Sequence, residues 1–362
     1  MSAPINHASS PPRKRSLFRF SLRTFLIATM LLGVVLGWFV KVQNRVQRQR
    51  RVMHQIQSRG AGVGLDYQIA SGWDEEQWQP PGPKILRMLL GDDAFAEVHT
   101  VNLMGIKRRY NSTPGDLAAL AVLPRLQVLH LGGKQFGDES LPDIVRHQEL
   151  FGIGFEETRV TARGLRQLRS LQRLTMLSLQ GAGIDDDALH EVSQLPHLER
   201  LQLFGTSIGS DGWRNLANLR ELKQLDIAFA EVIGDAELAH LLGLTKLETL
   251  RLYRGGFSGA GLRQIAGLTE LRSLDLNGTP LGDEALETIR QLPRLERLWL
   301  KEAEITDGGL AQLGTLRGLR DLWVGPQVSQ EAAERLHLEL PDCEISGFDR
   351  SGRESFTVGK RP

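Results

Sequence analysis

Residues 174–195 read LTMLSLQGAGIDDDALHEVSQL, and this stretch decides the fold. Leu174, Leu177 and Leu179 make an L-x-x-L-x-L segment ending in alternation, the period of a short strand with one buried side. Ile184 follows, then Asp185 to Asp187, then Leu189, Val192 and Leu195 at spacing three, an apolar stripe suited to a helix or 3₁₀ segment. Pro196 punctuates the run just before the next anchor, Leu198. The anchors Leu126, Leu150, Leu174, Leu198, Leu222, Leu247, Leu271, Leu295 and Leu319 are 24 residues apart, with a single step of 25. No unit of this size can bury its apolar face alone, so the register predicts a stack with a shared interior. The expected fold class is α/β: a solenoid with parallel strands on the concave face and short helices on the convex face.

These residues resemble the leucine-rich-repeat family, whose motif is L-x-x-L-x-L-x-x-N/C-x-L, over roughly residues 98–345. The likeness is closest to bacterial variants with a T-x-I-x-D-x-x-L turn, as in Thr279-Pro-Leu281-Gly-Asp283 and Ala303-Glu-Ile305-Thr-Asp307. One position departs from the family. Where it places Asn or Cys, this chain has Lys134, Thr158, Ala182, Thr206, Ala230, Gly255, Thr279 and Ala303. No amide ladder can form there, so the backbone groups of the bend must find other partners. Thr161, Ser258 and Thr306 fall where helix N-caps are expected, and Asp307 sits near the positive end of a helix dipole.

The array has recognisable ends. Val98-x-x-Val101-x-Leu103 reads as a first strand, and Leu340-Pro-Asp-Cys343, with Cys343 placed 24 beyond Leu319, as a terminal capping unit. The polar tail 346–362 has no apolar period and is expected to be disordered. An entry module at 61–97 is expected to cap the first face. It comprises an edge strand from Val63 to Ile69, loop material around Trp73, Trp78 and Pro80–Pro83, and a short helix at 84–90. Val232-Ile233 carries the extra residue of the Leu222 unit and should bulge, while His147 replaces a leucine and reads as a partly exposed structural substitution.

A basic tail occupies 1–23. Residues 24–40, TFLIATMLLGVVLGWFV, carry no charge and as a helix span roughly 26 Å at 1.5 Å per residue, near the lower limit for crossing a bilayer. Arg23 and Lys41 can snorkel outward, with Phe25, Trp38 and Phe39 suited to an interfacial belt. The absence of a small-x-small site and the basic helix expected at 41–60 favour an uncleaved anchor over a signal peptide. Five basic residues precede the span (Arg13, Lys14, Arg15, Arg19, Arg23) and five follow it (Lys41, Arg45, Arg48, Arg50, Arg51). The balance leaves the positive-inside rule undecided; the short basic tail favours N-inside, with the repeats outside the cytoplasm. The juxtamembrane helix is expected to be solvated.

The formal net charge of +1 conceals a separation. Residues 1–60 hold eleven Lys and Arg and no acid, leaving 33 basic against 43 acidic residues in 61–362. The basic segment suits anionic headgroups, whereas the acidic array argues against nucleic-acid binding. One cysteine excludes an intramolecular disulfide and a cysteine-based zinc cluster. Cys343 reads as a buried thiol, the Asp185–Asp187 run as helix-start acids, and Arg59-Gly-Ala-Gly-Val-Gly64 as no phosphate loop, since no strand precedes it. Two Asn-x-Thr sequences, at Asn111 and Asn277, would matter only where glycosylation operates. Nothing converges into a triad or acid–base pair, so no enzyme activity, metal or cofactor is implied.

Recognition remains. With leucines at positions one, four and six facing the core, position five forms an outward column: Asn102, His130, Gly154, Ser178, Gln202, Asp226, Arg251, Asp275, Trp299, Trp323. Adding the neighbouring columns, the C-terminal half presents Phe204, Arg251, Tyr253, Arg297, Trp299 and Trp323. Exposed Trp, Tyr and Arg carry interface binding energy, so these six are the candidate partner-binding residues. The expected partner is a protein, with a polysaccharide possible; a structural tether without a specific ligand is the alternative, and an adaptor for an enzyme the second.

Overall fold

The computed structural model describes residues 22–65, 84, 87–88, 97–104, 112–181, 183–228 and 233–359. Its strands are β1 (Gly62–Leu65), β2 (Val98–Leu103), β3 (Val128–Gly132), β4 (Gly152–Glu156), β5 (Met176–Gln180), β6 (Arg200–Phe204) and β7 (Gln224–Ala228), then β8 (Thr249–Tyr253), β9 (Ser273–Asp275), β10 (Arg297–Leu300), β11 (Asp321–Val324), β12 (Glu344–Phe348) and β13 (Glu354–Val358). They form one 13-stranded sheet in chain order. Neighbours from β2 to β12 pair in parallel, and β1 and β13 add antiparallel strands at the two ends. Each repeat returns through a short α- or 3₁₀-helix. The leucines interlock into one apolar interior running from Ile56 to Ile345, the shared core that the 24-residue register demands.

Two devices replace the family's amide ladder. At the bends after β3, β4, β5 and β8, main-chain N–H groups donate to the next repeat's carbonyls: Gly133 to Glu156, Glu157 to Gln180, Gly181 to Phe204, Arg254 to Asn277. These four donors lie at φ 102, 52, 130 and 57°, a left-handed conformation in which glycine is unstrained and Glu157 and Arg254 are not. On the convex side, aspartates at helix starts reach across to the following repeat. Asp235 accepts from the Ser258 N–H (2.7 Å) and hydroxyl (2.8 Å), Asp283 from those of Thr306 (2.8 and 2.6 Å), and Asp138 from those of Thr161 (2.8 and 2.7 Å). Ser258 and Thr306 also cap their own helices as expected, whereas Thr161 stands at its N-cap position without a side-chain cap hydrogen bond. Along the edge where strands begin, charges alternate in sign between repeats and pair: Lys223 with Glu199 at 2.8 Å, Lys246 with Glu221 at 2.6 Å, Arg320 with Asp342 at 3.1 Å. Being exposed, each such pair contributes at most about 1 kcal/mol.

Helix α1 (Leu22–Gln57) is continuous across the apolar span and the basic segment. Thr29, well inside the span, returns its hydroxyl to the Phe25 and Leu26 carbonyls. The expectation of a solvated juxtamembrane helix is corrected. Val46, Gln49 and Ile56 are buried, and Val52 and Met53 pack on the core, so this segment itself covers the first face of the solenoid. A polar rivet holds it. The buried Asp116 of helix α2 (Pro114–Ala119) accepts from Gln55 Nε2 (2.8 Å), Arg59 Nη1 (2.6 Å) and the Thr113 N–H (2.8 Å). Burial pushes the Asp116 carboxyl up, but the hydrogen bonds from Gln55, Thr113 and Arg59 outweigh it and hold its pKa below 3.8. A depressed carboxylate pKa stabilises the folded junction above the unfolded value and loses that contribution as pH falls through the folded one. The protection factors of the amides across 46–57, observed exchange measured against intrinsic exchange at the same pH, should therefore fall on going from pH 6 to below pH 3.8. At neutral pH, Asp116→Ala should reproduce the opening, at about 1 kcal/mol; unchanged protection would remove the rivet from the account.

Of the entry module, β1 is observed; Asp66–Ile69, Trp73, Trp78 and Pro80–Pro83 lie outside the described residues, and Lys84, Arg87 and Met88 are helical. Val232 is also outside them, while its neighbour Ile233 is fully buried. His147 is corrected from partly exposed to buried: its ring bonds the Leu123 carbonyl, and burial holds its pKa below the ordinary value. The disordered-tail expectation is also overturned for 346–359, residues 360–362 lying outside the described ones. β12 and β13 form a hairpin turned by Asp349, which accepts from the Ser351 and Arg353 N–H groups, with Gly352 at φ 79°. This hairpin caps the C-terminal end.

Candidate functional site

Strand pairing places the outward column in register residue for residue: Gln202, Asp226, Arg251, Asp275, Trp299, Trp323 and then Ser346. Alternation puts Leu298 and Leu300 in the core and turns Trp299 outward, half-buried. The two indoles meet at 5.4 Å between centroids, tilted by 39°, a separation at which aromatic pairs attract. The Trp299 Nε1–H donates to Asp321 at 3.3 Å, and the Arg251 guanidinium lies 5.8 Å from the Trp299 ring.

Arg251 is held from its other side. Its Nη1 donates to both oxygens of Asp226 (3.2 and 3.1 Å), a buried carboxylate that also accepts from Gln202 (3.0 Å) and Gln224 (2.8 Å). Asp275, next in the column, accepts the Asn277 N–H. Burial pushes its carboxyl above 3.8, against the opposing effects of that N–H and Arg251 and with a further push from Asp226.

The structure thus brings Arg251, Trp299 and Trp323 into one contiguous surface. Phe204 and Tyr253 share a register row at the strand ends, separated by Ala228, and Tyr253 is overlaid by Arg254 at 5.6 Å. Arg297 is exposed at the start of β10.

Two members of the surface were absent from the sequence-based set. Phe348, itself buried at the end of β12, packs tilted against Trp323 at 5.1 Å, and Lys301 sits 4.3 Å over the Phe348 ring. Cys343 is buried, but β12 pairs Ile345 with Leu322, one residue out of the 24-residue register. With Cys343 as anchor, Phe348 falls on a core-facing position; the observed slip turns it to the concave side, because a one-residue shift exchanges faces.

The remaining motifs are absorbed by structure. Asp185 caps its helix through the Ala188 N–H (3.0 Å), and Asp186 accepts the Gly209 N–H (2.6 Å). Thr279 of the second Asn-x-Thr sequence is fully buried and takes the Gly255 N–H at 3.0 Å, while Asn277 Oδ1 accepts from the Lys301 N–H at 2.8 Å. That asparagine belongs to the fold. Asn111 lies outside the described residues.

Residues 268–289 match a family model described as Leucine Rich repeat. No curated protein matches the chain. Among solved structures, the chain is similar to an internalin (inlF) from Listeria monocytogenes str. 4b F2365, with 22% identity over 56% of this chain and 69% of that one, at a TM-score of 0.40. Internalin C2 from the same strain gives 22% identity over 57% and 82%, at 0.40. TLR13 in its complex with ssRNA13 gives 17% over 66% and 38%, at 0.44. The matched segment is one unit of a strand–bend–helix register that the parallel ladder repeats from β2 to β12, and the chain has the leucine-rich-repeat solenoid fold.

Proposed function

We propose that this is a membrane-anchored recognition protein that binds a macromolecular partner, a protein in the first place, through the C-terminal half of its concave face. The observation that carries this reading is the continuous row Arg251–Trp299–Trp323–Phe348, flanked by Lys301. Preorganised aromatic and arginine side chains lose little entropy on binding and are the residue types that dominate interface energetics. Charges of both signs beside the row, Asp321 and Arg297 among them, suit a protein surface better than a neutral polysaccharide. The acidic balance of 61–362 disfavours nucleic acid. Nothing in this mode of action requires catalysis.

Anchoring rests on α1. The helix is long and apolar enough to cross a membrane, and its large side chains find no cover in the protein: Met30 is 73% and Leu31 60% exposed. An apolar surface of that extent needs a bilayer or a partner. The uninterrupted continuation of α1 into the packed segment favours an anchor over a removable leader. The short basic tail favours N-inside and an extracytoplasmic array.

Replacing Arg251, Trp299 and Trp323 together by alanine should abolish partner recovery in a crosslinked pull-down from intact cells. Unchanged recovery would favour a tethering role. In the same cells, external protease should digest the array; protection that disappears on lysis would reverse the orientation.

A further inference from the structure

We propose that the groove between α1 and the first repeat is a binding site for one anionic phospholipid, taken by its headgroup and the upper part of its chains. The inference rests on the anchoring proposed above. The groove, of about 640 Å³, lies where the apolar span gives way to the basic segment. Gly37 and Val40 from α1 and Val122 from the first repeat supply an apolar wall. Lys41, Arg45 and Arg48 also line it; spacings of four and three put these cations on one helix face. Among the described residues no carboxylate lines the groove, and the sequence of residues 1–60 contains none. The neighbouring cleft, which Arg45 also borders, differs: its Glu97 and Glu149 are paired with Arg125 and Arg173.

Position supplies the remaining argument. The docking face of α1, marked by Val46, Gln49 and Ile56, turns toward the solenoid, so the cationic face opens beside the repeat rather than into bulk water. A chain anchored by residues 24–40 holds this groove at the boundary between hydrocarbon and headgroups, where a phosphate meets the cations and the acyl chains meet the apolar wall. A soluble anion would satisfy only the cationic half.

The test uses the full chain reconstituted in vesicles of phosphatidylcholine alone and of phosphatidylcholine with phosphatidylglycerol. Flotation reports anchoring; native mass spectrometry after gentle detergent extraction counts retained lipids. One phosphatidylglycerol should be retained in preference to phosphatidylcholine. Each of Lys41→Gln, Arg45→Gln and Arg48→Gln should weaken retention by about fivefold, from roughly 1 kcal/mol per surface charge. Arg51→Gln, on the same helix outside the groove, should leave it unchanged. Equal retention of both lipids, or equal sensitivity to all four substitutions, would overturn the groove while flotation left the anchor standing. Failure to float from either vesicle would overturn the anchor and the groove together.

Discussion

Trp323→Ala should weaken partner binding by about 30-fold, the equivalent of about 2 kcal/mol, and should do so without unfolding the array. Trp323 is the link between two halves of the surface, 5.4 Å from Trp299 and 5.1 Å from Phe348. Its removal costs its own contact area and frees both neighbouring rings. On the stability side, the loss is confined to two aromatic pairs on a half-buried residue, each about 1 kcal/mol. The leucine core behind the strand, Leu322 and Val324, stays intact. Phe348→Ala should show a smaller effect in the same direction, because it removes one pair and the seat of Lys301. Arg297→Ala, exposed and outside the stack, should change binding by no more than about threefold, as rim charges do. Equilibrium binding to the captured partner, with denaturation midpoints measured in parallel, checks the order. A larger effect at Arg297 than at Trp323 would move the binding surface to the edge of the strands.

The column containing Trp299 and Trp323 was legible because the repeat spacing fixes it: every anchor specifies which neighbour faces out, and the strand pairing matches position by position. What spacing could not supply was contact. The buried Asp226 that aims Arg251, and the tilt that brings the indoles together, depend on side-chain conformations that no period encodes. Phe348 was hidden by the slip at β12, and with it the hairpin. Once 346–362 is read as an aperiodic tail, nothing marks Phe356 and Val358 as strand residues, although both pack against the core. The juxtamembrane helix was misjudged for a different reason. Val46, Gln49, Met53 and Ile56 recur at spacings of three and four, but dense arginines masked that stripe. The alternating charges at the strand starts were equally readable and contribute little to stability.

One structural rule is written across the repeats, and its consequence runs against helix propensity. The N–H and hydroxyl groups of Thr306 are held by Asp283, and the third helical residue of that turn, Gly309, lies under the same carboxylate. A β-carbon at Gly309 would sit 2.0 Å from Asp283 Oδ1 and 2.3 Å from its Cγ. The same pairing recurs for Gly261 under Asp235 (2.1 Å), Gly164 under Asp138 (2.3 Å) and Gly212 under Asp186 (2.5 Å), each glycine 26 residues after its aspartate. Where the corresponding first helical residue is Ala162 or Gly259, the later position is Ala188 or Ala285. Asp307 holds Ser329 above Ala332, but the connection there is one residue shorter, 22 against 23. In an ordinary exposed helix, glycine to alanine gains about 1 kcal/mol. Gly309→Ala should instead destabilise by about 2 kcal/mol, because the displaced carboxylate forfeits two charge-assisted hydrogen bonds worth about 1.5 kcal/mol each. Asp283→Ala alone should cost a similar amount. In that background the clash is gone, so adding Gly309→Ala should now stabilise by up to about 1 kcal/mol. The sign of one substitution therefore depends on a side chain in the preceding repeat. Urea denaturation of the four proteins of this cycle measures the coupling. If Gly309→Ala stabilises both backgrounds alike, the inter-repeat carboxylate does not hold the stack together.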